Sequence, residues 1–124
     1  MNLFDKTGRA VAHLAEDQDN AIFLWRGLHI GVLVEDRHIF GINGKHLGWF
    51  VDGVIYDTKG DRIGFTEGTC PIPVSKITPR WSQRSKEEAK PKEKIPPTPH
   101  FTTHYSNQDF LKFLKAGEIS PFDR

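Results

Sequence analysis

The stretch Gly41-Ile42-Asn43-Gly44-Lys45-His46-Leu47-Gly48-Trp49-Phe50-Val51-Asp52-Gly53 reads as one strand held between two tight turns. Asn43-Gly44 and Asp52-Gly53 are strong hairpin signals, because the favoured two-residue turns need positive φ. Between them runs a segment of ordinary strand length, rich in Leu, Trp, Phe and Val. Gly48 interrupts it. A glycine weakens a strand interior unless a bulge or a close backbone approach requires it.

The same grammar recurs on both sides. Gly8, Gly27, Gly44 and Gly60 are separated by 19, 17 and 16 residues. Five positions before each stands an aliphatic residue (Leu3, Ile22, Ile39, Ile55), followed by an aromatic (Phe4, Phe23, Phe40, Tyr56). Three positions after each comes another aliphatic (Val11, Ile30, Leu47, Ile63), then a very small residue (Ala12, Gly31, Gly48, Gly64). An acid closes the first three units (Glu16, Glu35, Asp52), and Glu67 stands one place earlier in the fourth. The agreement describes four copies of one hairpin unit, hence about eight strands. No unit can bury an apolar face alone. The expected fold is mainly β: residues 1–69 closed into a small pseudo-four-fold barrel or flower, which also removes exposed strand edges.

Composition divides the chain. Hydrophobic residues make up 37% of its 124 residues, and 11 Gly and 8 Pro suggest many turns or a flexible segment, so a compact part joined to a looser part is expected. Residues 1–69 carry seven Lys/Arg and ten Asp/Glu, whereas residues 70–94 carry seven and three. Basic charge sits off the repeat domain, which argues against a folded nucleic-acid-binding face. Cys70 is the single cysteine, so no intramolecular disulfide forms and a reducing compartment is expected. No signal peptide or run of ~18 apolar residues is visible, and the cytoplasm is the expected location.

The run from Gly41 through Gly53, continuing over Ile55-Tyr56-Asp57-Thr58-Lys59-Gly60-Asp61-Arg62-Ile63-Gly64-Phe65, resembles the bacterial four-fold β-flower family. The resemblance covers roughly residues 1–69 and extends weakly into the Pro-rich segment. It implies a small closed β assembly of hairpin petals about a pseudo-four-fold axis. It carries no activity, cofactor or site residue.

Residues 71–99 hold seven of the eight prolines and read as an extended, semi-rigid linker. Ile72 and Val74 alternate as one added edge strand would, and Ile77 and Trp81 could dock on the barrel; beyond Trp81 disorder is expected to about residue 100. A helix is expected over about 107–116, with Phe110, Leu111, Phe113 and Leu114 as its apolar stripe and Gly117 as its stop. Too short to stand alone, it either packs on its own barrel or is offered on a tether to a partner groove.

The candidate chemistry is thin. His29, His46 and Arg62 share one repeat column with Ala10, as polar wall positions or as an anion site at the axial mouth. Arg62 opposes a metal there, and no metal or cofactor is expected. Trp49 is either core or part of a ligand-binding surface. No nucleophile, acid/base pair or phosphate loop stands out, so no catalytic residue is named. The expected function is a non-enzymatic binding or scaffold module presenting a rigid ring and the helix to a protein partner. The alternatives are a small anionic-ligand binder or weak enzyme at the mouth, and membrane-surface association.

Overall fold

The computed structural model describes residues 1–74, 79–83 and 91–119. Eight strands form one closed antiparallel barrel in chain order: β1 (Asn2–Phe4), β2 (Ala10–Ala15), β3 (Ala21–Leu24), β4 (His29–Val34), β5 (His38–Gly41), β6 (His46–Val51), β7 (Val54–Tyr56) and β8 (Arg62–Phe65). Phe4 of β1 pairs with Phe65 of β8 and shuts the ring.

The four petals have one backbone plan. Gly8, Gly27, Gly44 and Gly60 have φ of 82°, 94°, 88° and 87°. Each donates its N–H to the carbonyl three residues back, as in Gly44 N to Gly41 O at 2.9 Å. Each residue three back donates in turn to the carbonyl after the glycine, as in Gly41 N to Lys45 O at 2.8 Å. This is the three-residue hairpin loop in which a left-handed residue ends a turn and starts a bulge. A Cβ there would be strained, so glycine holds the position in all four units.

A second irregularity also repeats four times. Phe40 pairs with His46 and Ile39 with Gly48, leaving Leu47 as an extra residue. Val11, Ile30 and Ile63 are the extra residues of the other petals. Such a bulge bends and twists its strand, and here it adds an aliphatic side chain to the interior. Leu3, Ile22, Ile39 and Ile55 join Val11, Ile30, Leu47, Ile63, Leu14 and Leu33 in one buried cluster.

The helix α1 (Phe110–Lys115) completes this core. Phe110, Phe113 and Leu114 are buried within the central cluster. A Cβ at Gly64 would lie 2.6 Å from Phe110 Cζ, and one at Gly48 would lie 2.9 Å from Phe113 Cζ. Those strand glycines therefore leave the space into which the two rings insert. Asp109 caps the helix by accepting from Lys112 N at 3.3 Å. Asn43 holds the other end, donating through Nδ2 to Ala116 O at 2.8 Å, while its N–H donates to Gly117 O at 3.1 Å.

The chain between barrel and helix is a belt. It passes the four glycine turns in order. Pro73 O lies against Gly8, Trp81 N donates to Trp25 O at 3.1 Å, Lys92 and Glu93 N both donate to Gly44 O at 3.0 Å, and Thr102 N donates to Gly60 O at 2.9 Å. The disorder expected beyond Trp81 is thus replaced, over residues 91–100, by chain laid against the barrel; residues 84–90 and Ile77 lie outside the described residues. Extended, proline-rich backbone leaves its N–H groups free to reach turn carbonyls. The expected edge strand at Ile72 and Val74 is also absent, since residues 71–74 join no strand.

Gly64→Ala is expected to cost about 1–3 kcal/mol by overpacking and Phe110→Ala about 3–5 kcal/mol by loss of the plug. In the double variant the methyl group no longer meets a ring. A denaturant-derived double-mutant cycle should show Gly64→Ala costing less in the Phe110→Ala background.

Candidate functional site

The repeat column of His29, His46 and Arg62 lies opposite the aromatic column, since Phe23 pairs with His29, Phe40 with His46 and Tyr56 with Arg62. The bulge directs the next aliphatic inward and leaves these side chains on the barrel wall. Each stands in a separate petal, as its repeat position requires. Buried His29 donates from Nε2 to Gly31 O at 2.8 Å, and its ring lies 5.1 Å from that of Phe23. Arg62 is half-buried and donates from Nε to the belt carbonyl of Thr102 at 3.3 Å.

His46 and Trp49 do come together, with ring centroids 4.7 Å apart. Both are buried, and a third residue joins them: His38, whose Nδ1 lies 3.1 Å from His46 Nε2. Phe40 stands edge-on to the His46 ring at 5.0 Å, and the belt ring of Phe101 lies 6.1 Å from Trp49. The belt also places Glu93, whose Oε1 accepts from His46 N at 3.0 Å. His46 Nδ1 and Trp49 Nε1 are buried without a hydrogen-bond partner among the described residues. His38 was not singled out by the repeat columns. The cross-strand pairing of His38 with Trp49 is the signal that would have found it.

This environment disfavours charge. Burial chiefly, and then the neighbouring His38, hold the His46 pKa below its ordinary 6.5, with Glu93 opposing. His46 also borders a cleft of about 620 Å³ beside the helix, with Thr58, Asn107, Gln108 and Lys112 among its polar walls. Phe110, Phe113 and Leu114, the candidate partner-binding stripe, face the barrel interior, and Leu111 packs against the same cluster. Among the described residues no group of three or more His, Cys, Asp or Glu could hold a metal ion. No helix is long and apolar enough to cross a membrane.

The sequence matches the family model described as 4-fold beta flower protein over residues 1–114. The chain belongs to this family. The match runs past the four petals through the belt to Leu114, where the resemblance read from sequence covered roughly residues 1–69 and extended weakly into the Pro-rich segment. No curated protein and no solved structure matches the chain. The family description names a shape and assigns no activity.

This β-flower has polar ends. The turns opposite the glycine loops carry Glu16, Asp17, Asp19, Glu35, Asp36, Asp52 and Glu67 against one cation side chain, Arg37. The glycine-loop end, with belt and helix, carries ten Lys/Arg and six Asp/Glu among the described residues. The acidic turns are also strained: Glu35 and Asp36 both have φ of 55°, and Asp19 and Asn20 have 55° and 59°. Such turns favour Asn, Asp and Gly, so Glu35 is the residue out of place, at a cost of about 1–2 kcal/mol.

A proton on His46 is admitted more readily by the unfolded chain than by the folded one. As pH falls from the ordinary 6.5 through the lowered His46 value, stability should decline, and the decline should level off below it. Urea titrations across that window should show a shallower slope in His46→Gln, and proton NMR should place the His46 midpoint below 6.5.

Proposed function

We propose that the protein is a non-enzymatic binding module that engages a basic surface of a protein partner through its acidic turns. The observation that carries this reading is Glu35-Asp36, two acids held in left-handed backbone where Asn-Gly would be relaxed. Strain kept at an exposed turn, against an available cheaper sequence, supports selection for the side chains themselves. The surroundings agree. The glycine-loop end is occupied by the chain's own belt and helix, while the acidic turns are exposed at Glu16, Asp17, Asp19, Glu35, Asp36, Asp52 and Glu67.

An acidic face of this kind speeds and selects association more than it tightens it, and its contribution fades with salt. The closed barrel supplies rigidity, so little ordering entropy is lost at the turns on binding. The alternative is an anion site formed by His29, His46 and Arg62, one from each of three petals.

The test separates folding from binding. Glu35→Asn with Asp36→Gly should raise stability by roughly 1–2 kcal/mol, because the turn relaxes. The same variant should recover less of a partner captured by the wild-type chain from lysate and identified by mass spectrometry, with recovery also falling as salt rises. Equal recovery by both proteins would sink the reading.

A further inference from the structure

We infer that the belt is a docking surface for an anionic lipid membrane, centred on Trp81, Arg26 and Arg80. Trp81 is 58% exposed, the most exposed large apolar residue of the described chain. Its indole is not idle surface. The Arg26 guanidinium lies 5.4 Å from the centroid of the Trp81 ring, and Arg80 lies 5.9 Å from that of Trp25. The two stacks are reciprocal: a barrel arginine covers the belt tryptophan, and a belt arginine covers the barrel tryptophan. The hydrogen bond from Trp81 N to Trp25 O, 3.1 Å long, locks them together.

A guanidinium stacked on an indole keeps its N–H edge free for bidentate contact with phosphate. Arg26 and Arg80 are exposed, and neither makes an ion pair among the described residues. The patch therefore offers two fixed cations around one exposed indole. Tryptophan is the side chain that favours the headgroup level of a bilayer, apolar ring inward and N–H toward water.

Two further observations choose lipid over another polyanion. The belt also exposes Ile72 (45%) and Ile95 (48%), aliphatic side chains that gain from acyl chains and have nothing to offer a nucleic acid. Lys92 and Lys94 precede Ile95, and the acid between them, Glu93, is engaged by His46 N, so exposed basic and apolar side chains are neighbours along this segment. In addition, the acidic turns lie at the opposite end of the barrel. Approach to an anionic surface is favourable only with the belt end leading, which orients the molecule. The acidic face then points away from the membrane, free for the protein partner proposed above.

Flotation of the full chain with phosphatidylcholine vesicles, with and without phosphatidylserine, tests this. Binding is expected only to the phosphatidylserine vesicles, weakening with salt, with a blue shift of tryptophan emission from the exposed Trp81. Arg26→Gln with Arg80→Gln should weaken partitioning roughly thirtyfold, the worth of two basic residues at such a surface. Trp81→Ala should weaken binding and abolish the blue shift. Glu35→Asn with Asp36→Gly should float as wild type does, which distinguishes failure here from failure of the acidic-face reading. No phosphatidylserine-dependent flotation, flotation indifferent to the belt variants, or binding to polyuridylate or polyglutamate without binding to vesicles would each overturn the lipid assignment.

Discussion

The barrel depends on side chains that are missing. Phe110 and Phe113 occupy the positions where Cβ atoms at Gly64 and Gly48 would stand, so helix and barrel share a single core. A six-residue helix has no stability of its own, and a barrel of three- to six-residue strands has an apolar mouth to cover. Each supplies what the other lacks. This explains why the family match reaches Leu114 and does not stop with the fourth petal.

The belt follows from the same constraint. The helix can reach the mouth only if the chain that leaves β8 returns to the glycine-loop end, and it does so by circling the rim. Its attachment is largely through backbone: N–H groups of Trp81, Lys92, Glu93 and Thr102 donate to carbonyls at the second, third and fourth turns. The turn glycines allow this close approach, because a Cβ at Gly27 or Gly60 would meet the carbonyl oxygen of Ser82 or His100. One residue type at one repeat position therefore serves two purposes, left-handed backbone in the hairpin and room for the belt.

That double use decides what could be read from sequence. The petals were legible because turn chemistry and strand pattern are local and repeat four times; equivalent glycine φ values confirm their common backbone plan. The belt was not legible, since backbone donors leave no side-chain pattern and prolines read as linker whether or not the chain is docked. The site was half legible. Column alignment found His46 and Trp49, which are in contact. It also grouped His29 and Arg62 with them, because symmetry-equivalent residues look alike in sequence while pointing to different quarters of a ring. His38 escaped because it belongs to a different column, and only the cross-strand register brings it to Trp49.

The repeat symmetry is broken in an orderly way, and the breaks are where function is to be sought. A symmetric flower needs one residue per column; this chain has Ala10, His29, His46 and Arg62 in a single column, and Thr66 where Leu14, Leu33 and Phe50 stand in the others. The interior tolerates little of this, as the aliphatic layers around the axis show. The variation is greatest where the belt covers the wall and at the turns. Each covered petal meets a different stretch of belt, so each wall residue is matched to its own partner: Arg62 to Thr102 O, His46 to Glu93, Trp49 to Phe101. The belt thereby fixes its own register around a ring that would otherwise offer four equivalent starting points. Register, in turn, places Arg80 and Trp81 beside Trp25 and Arg26 and nowhere else on the rim. The docked belt thus converts a four-fold scaffold into a molecule with a single distinguished side.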